Sequence, residues 1–248
     1  MSKKRIKVLT MSDHPLLPSG VATQTKYMIE ALLQSDRFEV ISLGGAVKHN
    51  DYTPLSVDGY DGKWTIFPID GYGDESIVRR FLHDHKPDIV WFMTDPRFYE
   101  WLWMMENEIR QHVPLVYYHV WDNKPIPVYN KNFYDSTDSI ISECVRGTAP
   151  DVEEIYHPHA VDPEIFSKKT DPESLSKINA MRKNMELGDK VIFFWNNRNA
   201  KRKQSGSLIY WWKDFLDKVG HDKACLIMHT DIQDPHGQPL NYLLQTLG

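Results

Sequence analysis

Residues 191–203 have the sequence VIFFWNNRNAKRK, and this stretch decides the class of fold. Its first five residues are apolar and rich in β-branched and aromatic types, which predicts a buried strand. The polar, cationic turn that follows leads into a helix-period pattern of apolar residues from Leu208 to Val219. In open α/β sheets, ligands collect at the carboxyl ends of strands, where helix N-termini and cations favour anions. The stretch therefore predicts an anion site between a strand and a helix.

The composition indicates a globular protein of one large or two small domains, since the chain has 248 residues and 41% of them are hydrophobic. The net charge of −5 argues against broad binding to nucleic acid, which needs an excess of cations to neutralise phosphates. Any anion site is therefore local. Only Cys144 and Cys225 occur, without metal-type spacing, which favours a reducing cytoplasm over a disulfide framework or a cysteine zinc site. No run approaches the ~18 apolar residues of a membrane-spanning helix.

Strand-like and helix-like segments alternate along most of the chain. Apolar runs at 6–10, 38–43, 89–93 and 115–118 predict strands, and segments with a helical period, among them residues 98–112, lie between them. The runs at 89–93 and 115–118 are apolar on both faces, which is typical of parallel sheets covered by helices on both sides. The sequence therefore predicts an α/β fold with a doubly wound, Rossmann-like parallel sheet.

A change in composition at residues 162–173, which contain two prolines and several charges, predicts a linker. We expect an N-terminal Rossmann-like domain over residues 1–165. Residues 166–248 are then the linker and the start of a second Rossmann-like domain. This second part has two clear strands, too few for a stable sheet by itself. We therefore expect the sequence to be an incomplete fragment of a longer chain.

Four separated motifs occur in the order in which one glycosyltransferase family carries them. They are the loop HPLLPSGVA at 14–22, the strand entry KPDIV at 86–90, the segment PHAVDPEIF at 158–166, and the five-residue spacing from Arg198 to Lys203. With these motifs the chain resembles a nucleotide-sugar-dependent glycosyltransferase of the two-Rossmann (GT-B) type, in the retaining family 4. The resemblance covers the N-terminal domain and the start of the C-terminal domain. It implies acceptor binding in the first domain and donor binding in the second.

The chain departs from this family pattern at several points. Ser19, Ala160 and Asn197 stand where the family has glycine, and a Cβ atom at these positions narrows the close approach of backbone to a ligand. The Glu-x7-Glu motif, which the family carries deeper in the C-terminal domain, is absent from residues 166–248. We therefore expect this chain alone to bind donor poorly or not at all, and to be inactive.

Charge chemistry supports a donor site at the end of the opening stretch. Breaking the bond between a sugar and a diphosphate builds negative charge on the leaving oxygen, and cations placed there stabilise the transition state. Arg198 can donate two parallel hydrogen bonds to one phosphate, and Lys203 supplies a compact charge. The resemblance in spacing implies that these two residues bind the donor diphosphate. The alternative is a solvated basic turn, the class to which we assign Lys201 and Arg202.

Three further site residues are predicted in the first domain. Gly20 opens a helix after the first strand, with Ser19 placed as its N-cap, and backbone N–H groups at this helix start can hold an acceptor or a phosphate. His119 and Asp122 follow the strand at 115–118, near the family position that faces the reacting sugar, and the resemblance implies a catalytic role for them. A satisfied structural histidine is an equally good interpretation of His119. The resemblance implies no obligatory metal or cofactor.

The predicted function is that of a cytoplasmic glycosyltransferase. It moves a sugar from a nucleotide-diphosphate sugar to a glycan, lipid or small-molecule acceptor, with retention of configuration by analogy with the family. The tryptophan-rich segment at 101–105 is interpreted as a core-facing helix, with peripheral membrane contact as the alternative. Three rival functions stay open: a non-catalytic module that binds a glycan or a protein partner, a sugar-nucleotide epimerase, and nucleic-acid binding by residues 201–203, which the net charge disfavours.

Overall fold

The first strand, β1 (Ile6–Asp13), lies inside an eight-stranded sheet in the computed structural model, which describes residues 4–121, 128–142 and 151–247. The chain divides into two compact units, Met1–Asp162 and Pro163–Gly248. The other strands of the first unit are β2 (Phe38–Gly45), β3 (Leu55–Ser56), β4 (Trp64–Pro68), β5 (Ile89–Met93), β6 (Leu115–His119), β7 (Ser139–Ser142) and β8 (Glu153–Tyr156). Its helices are α1 (Gly20–Gln34), α2 (Glu75–His85), α3 (Glu100–Met104), α4 (Glu106–Arg110) and α5 (Lys131–Asp135), with short 3-10 helices at Pro96–Tyr99 and Val128–Asn130.

The strand order of the sheet is β3-β4-β2-β1-β5-β6-β7-β8. Neighbouring strands are parallel, except that β3 runs antiparallel to β4. The order reverses at β1, which has β2 on one side and β5 on the other. Such a switch point leaves a crevice at the carboxyl ends of the strands, where open α/β sheets bind ligands. The prediction of a doubly wound, Rossmann-like sheet is confirmed.

Helices cover both faces of this sheet because its central strands are apolar on both faces. Along β1, Val8 contributes to one buried cluster and Leu9 to another, as the two-residue alternation of a strand requires. Val40 of β2 and Trp91 of β5 join the cluster of Val8, whereas Phe92 joins that of Leu9. The continuous apolar runs of the sequence thus become a sheet buried on two sides.

The segment that follows β5 is broken where the sequence predicts one helix over residues 98–112. The backbone leaves the helical region at Met105, between α3 and α4, and the Met105 N–H bonds to the carbonyl of Leu102 in a tight turn. This break lets Leu102, Trp103 and Met105 all reach the core, while Met104 is exposed. The tryptophan-rich segment therefore packs inward, and peripheral membrane contact stays an untested prediction. None of the described helices combines the length and hydropathy that crossing a membrane requires.

The second unit is built around two parallel strands. Its elements are α6 (Pro172–Asn184), β9 (Val191–Asn196), a 3-10 helix (Lys201–Lys203), α7 (Ser205–Val219), β10 (Ala224–His229) and α8 (Leu240–Leu247). β9 pairs with β10 from Val191 opposite Ala224 to Asn196 opposite His229. The strand-to-helix order predicted for residues 191–219 is confirmed by β9 and α7.

The prediction that β9 is a buried strand is wrong. Val191 and Phe194 are 61% and 65% exposed. Among the described residues, β9 pairs with β10 alone, and α7 covers it through ring contacts such as Phe193 with Trp212, whose centroids are 5.1 Å apart. A strand with one neighbour lacks the layers that bury a central strand.

Candidate functional site

The carboxyl end of β1 carries a buried carboxylate that ties three segments together. The Ser19 hydroxyl donates to Asp13 Oδ2 at 2.7 Å, and the Tyr72 hydroxyl donates to Asp13 Oδ1 at 2.9 Å. Burial, and then the charge of Asp13, raise the pKa of Tyr72 to about 12. The loop between β1 and α1 is therefore fastened to the segment before α2. Sequence reasoning missed Asp13, although a carboxylate at a strand end ahead of a Pro and Gly loop is a usable signal.

Two of the departures from the family glycines, Ser19 and Ala160, make local hydrogen bonds. Ser19 is the N-cap of α1, and its Oγ accepts the Ala22 N–H at 3.0 Å, which confirms the predicted cap. The Ala160 backbone makes a pair of hydrogen bonds with the Gln24 side chain, at 2.7 and 2.9 Å. The Ser19 side chain thus caps α1, whereas the Ala160 contacts are made by its backbone and do not depend on its side chain.

Gly20 begins α1 and is exposed. A Cβ atom built there would meet nothing within 4 Å, so the space above this turn is open. Within the described part of the chain, the N–H groups of Gly20 and Val21 have no hydrogen-bond partner. The helix start predicted from the sequence is present, and the role of Gly20 in holding a ligand stays a prediction.

Two histidines stand beside this loop. The rings of His14 and His49 are 5.4 Å apart, and a Cβ on Gly44 would lie 2.7 Å from His14 Cδ2, so glycine at the end of β2 makes room for the His14 ring. Burial, and then the neighbouring His49, lower the pKa of His14. His14 is therefore neutral near pH 7. Sequence reasoning did not single out either ring, because their approach depends on two different loops.

His119, predicted to be catalytic, ends β6 and is fully buried. Its Nε2 lies 2.9 Å from the Tyr134 hydroxyl, which also accepts a hydrogen bond from Asn130 Nδ2 at 3.2 Å. Burial lowers the pKa of His119 to about 4, so the ring is neutral at physiological pH. Its Nδ1 has no partner among the described residues. Asp122, the second predicted catalytic residue, lies outside the residues that the structure describes.

In the second unit, Arg198 lies just beyond β9 and pairs with a carboxylate from a distant loop. Its Nε and Nη2 donate to the two oxygens of Asp234, at 2.5 and 3.3 Å. The Arg198 side chain is 65% exposed and that of Asp234 is 5% exposed. The Arg198 guanidinium, and then the His236 N–H, hold the pKa of Asp234 below its usual value, while Asp234 and more weakly Asp231 raise the pKa of Arg198.

Lys203 lies in the 3-10 helix directly before α7 and is half-buried. Its backbone N–H bonds to the Ala200 carbonyl at 2.8 Å. Its ammonium group has no ion pair within the described ranges. The structure thus places Arg198 and Lys203 on one loop, between β9 and α7, and gives an intramolecular partner to the first.

A buried polar cluster fixes this loop and closes the start of α7. Gln238 Oε1 accepts the Gly206 N–H at 2.7 Å, and Asn199 Nδ2 donates to the Gln238 carbonyl at 2.9 Å. The Ser205 hydroxyl donates to Asn199 Oδ1 at 2.5 Å, and Asn199 and Ser205 are fully buried. The Gly206 N–H is thereby occupied, so the exposed cations, and not this amide, are the groups available to an anion. Gln238 is too distant in sequence to have been predicted.

No family model and no curated protein sequence matches this chain. Solved structures do match. One is the trehalose-6-phosphate synthase from E. coli bound with UDP-2-fluoro glucose, with a TM-score of 0.62 and 13% sequence identity, over 97% of this chain and 69% of that chain. Another is the UDP-forming α,α-trehalose-phosphate synthase from Burkholderia vietnamiensis, with a TM-score of 0.60 and 13% identity, over 98% and 68% of the two chains. The chain has the GT-B fold.

The GT-B likeness extends to a third structure, the UDP-forming synthase from Burkholderia xenovorans, with a TM-score of 0.57 and 12% identity, over 98% of this chain and 68% of that chain. At such identities the likeness shows the fold. It supports the GT-B architecture expected from the motifs, and the closer resemblance to glycosyltransferase family 4 stays a prediction. The roles of the individual site residues are argued from their own geometry below.

Proposed function

We propose that this chain belongs to a glycosyltransferase that transfers a sugar from a nucleotide-diphosphate sugar to an acceptor. The observation that carries the proposal is the exposed Arg198 guanidinium, held at the carboxyl end of a parallel strand in a GT-B fold. The E. coli structure of the same fold is bound with a UDP sugar, which supports a nucleotide sugar as donor.

The loop between β9 and α7 suits a leaving diphosphate. Two N–H groups of Arg198 are bonded to Asp234, and an arginine has five, so three remain for phosphate oxygens. Lys203 adds a second positive charge on the same loop. Both charges stabilise the negative charge that develops when the glycosidic bond to the diphosphate breaks.

The first unit suits an acceptor with hydroxyl groups better than a second phosphate. The carboxylate of Asp13 lies beside the start of α1, where it would repel a phosphate placed near Gly20. The open N–H groups of Gly20 and Val21 can instead donate to neutral oxygens. We therefore assign the acceptor to the first unit and the donor to the second. Retention of configuration, membership of family 4 and independence of a metal complete the proposal by analogy.

The catalytic role of His119 has weaker support than the diphosphate-binding role of Arg198, because the His119 ring is fully buried and already bonded to Tyr134. This burial favours the second candidate function, a non-catalytic module that binds a glycan or a partner with the same fold. Release of the nucleoside diphosphate from a nucleotide sugar distinguishes the two functions. A transferase releases UDP or GDP when acceptors are supplied, whereas a binding module retains ligand without turnover.

The proposal is tested by titrating the chain with UDP and GDP and following binding by calorimetry or ligand-observed NMR. We expect weak binding, because residues 166–248 lack the Glu-x7-Glu motif. Arg198→Ala should weaken it about 100-fold, since it removes two charge-assisted hydrogen bonds. Arg202→Ala, an exposed arginine four residues along, is the matched control and should change binding less than about twofold. Equal loss in both variants, or no binding by the wild type, would contradict the proposal.

A further inference from the structure

The carboxylate of Asp234 is an unusual partner for Arg198, because the two side chains differ so much in exposure. Asp234 is almost completely buried, whereas two thirds of Arg198 faces solvent. Asp234 Oδ1 also accepts the His236 N–H at 2.9 Å, so its own loop holds it in place. A carboxylate whose side chain is almost inaccessible to solvent therefore binds one edge of an exposed guanidinium.

We propose that Asp234 is the positioning residue of the donor-diphosphate site, which it serves by orienting Arg198. Asp234 binds the edge formed by Nε and Nη2. The opposite edge, formed by Nη1 and the second Nη2 hydrogen, is then free to donate two parallel hydrogen bonds to a phosphate. This inference rests on the proposed function and names a residue that the motif resemblance does not include.

The segment around Asp234 is itself bonded to the loop between β9 and α7 that carries Arg198. Gly237 passes so close to Asn199 that a Cβ there would lie 2.3 Å from the Asn199 carbonyl oxygen. Gln238 bonds both to Asn199 and to the Gly206 N–H. Residues 234–238 therefore contact the loop between β9 and α7 near both of its ends, and this fastening fixes the carboxylate relative to the phosphate position.

Two effects of Asp234 on anion binding have opposite signs. Orienting a long side chain before the ligand arrives strengthens binding by about 2- to 10-fold, because the side chain then loses less conformational entropy on binding. Direct repulsion between the carboxylate and a phosphate beyond the guanidinium, about 7 Å away, disfavours the ligand by about 1.5- to 5-fold at 0.15 M ionic strength, from the bulk-water to the protein-surface limit. Orientation exceeds repulsion at each end of the two ranges, so loss of Asp234 should weaken binding, although by less than orientation alone would give.

The experiment compares UDP binding by the wild type, Asp234→Ala and Asp234→Asn at 0.15 M ionic strength. Asp234→Ala should weaken UDP binding about 2- to 5-fold, the orientation effect less the relieved repulsion. Asp234→Asn should have an intermediate effect, because its amide oxygen can still accept from the arginine or from the His236 N–H. Asp217→Asn, at a carboxylate that pairs with Lys213 on the exposed face of α7, removes the same charge and should leave binding within about twofold.

Uridine serves as the probe for a merely structural effect, since it lacks the phosphates that Arg198 would contact. Asp234→Ala should weaken UDP binding and leave uridine binding unchanged. Tighter UDP binding would show that Asp234 competes with the phosphate, and equal loss for UDP and uridine would show a structural role. Either result overturns the inference. Absence of UDP and GDP binding by the wild type, or UDP binding unaffected by Arg198→Ala, would instead overturn the proposed function, and the role of Asp234 with it.

Discussion

The two strand-to-helix junctions, β1 to α1 in the first unit and β9 to α7 in the second, have the same local topology and opposite charge. The first junction is fastened by its own carboxylate, Asp13, and its helix is capped by Ser19. The second presents Arg198, fastened by Asp234 from 36 residues away, and its helix start is occupied by Gln238. Their strands differ as well, since β1 lies between two parallel neighbours and β9 pairs with β10 alone among the described strands.

This difference shows that a parallel strand followed by a helix determines where a binding site can form, and that the side chains at the junction determine which ligand groups it suits. A carboxylate at the first junction suits hydroxyl groups, and an exposed arginine at the second suits phosphate. Under the proposed function, the same local geometry presents an acceptor-type site in one unit and a donor-type site in the other. Three of the four predictions that follow test whether the two junctions differ in this way, and one tests the burial of His119.

The largest expected effect concerns the fastening of the first junction. Asp13→Ala should lower the free energy of unfolding of the first unit by about 3 kcal/mol, because the hydroxyls of Ser19 and Tyr72 lose a shared, buried acceptor. Chemical denaturation at pH 7 measures this loss. Asp13→Asn keeps one acceptor oxygen and should cost less. A loss below about 1 kcal/mol for the alanine variant would show that other contacts hold the loop.

The buried histidine at the end of β6 provides the second test. The pKa of His119 is about 4 in the folded chain and about 6.5 when unfolded, so the unfolded chain binds the proton more readily as the pH falls. Between pH 7 and pH 5 the wild type should lose about 2 kcal/mol more unfolding free energy than His119→Gln. Chemical denaturation across this pH range measures the loss, and parallel curves for the two proteins would refute the burial argument.

A third test separates the cations of the second junction. Lys203→Ala should weaken UDP binding about tenfold, the effect of losing one hydrogen bond to a charged group. Lys201→Ala, two residues earlier and exposed, should change the dissociation constant less than about twofold. Titration calorimetry on both variants measures the difference. If the two lysines contribute equally, the junction attracts anions by general charge and has no built phosphate site.

The smallest expected effect compares the two helix starts. Ser19→Ala should cost about 1 kcal/mol of unfolding free energy, because α1 loses its side-chain cap, whereas Ser19→Gly should cost a few tenths. At the start of α7, Gln204 makes no side-chain cap hydrogen bond, so Gln204→Ala should cost less than about 0.5 kcal/mol. Thermal unfolding of the three variants checks the order. A larger loss at Gln204 than at Ser19 would contradict the capping geometry.

Much of the first unit was predictable because its signals are local. Apolar runs with short periods predicted β1, β2, β5 and β6, and Ser19 ahead of a helical pattern predicted the start of α1. The helix predicted over residues 98–112 failed at Met105, because burial of Leu102, Trp103 and Met105 together requires a turn that helical periodicity does not reveal. The prediction that β9 is buried failed for a related reason. An apolar run shows that a strand can be buried, but the elements packed against the strand decide whether it is.

The candidate site divides in the same way. The position of Arg198 and Lys203 after a strand and before a helix was readable from residues 191–219. The burial of His119 against Tyr134 was not, since that hydrogen bond joins residues on two elements that meet only when the sheet and its helices pack. The position of Asp13 at a strand end, ahead of a Pro and Gly loop, was a usable sequence signal. No local pattern indicated that Tyr72 would be its hydrogen-bond partner.

The sequence by itself determined the alternation of strands and helices, the cap of α1 and the loop that carries the cations, because each depends on side chains a few positions apart. Only the tertiary structure decided which groups those side chains meet. Asp234 reaches Arg198, and Gln238 reaches Gly206, across more than thirty residues. Such contacts form when chain folding brings distant loops to one sheet edge, and no local period of the sequence records that meeting.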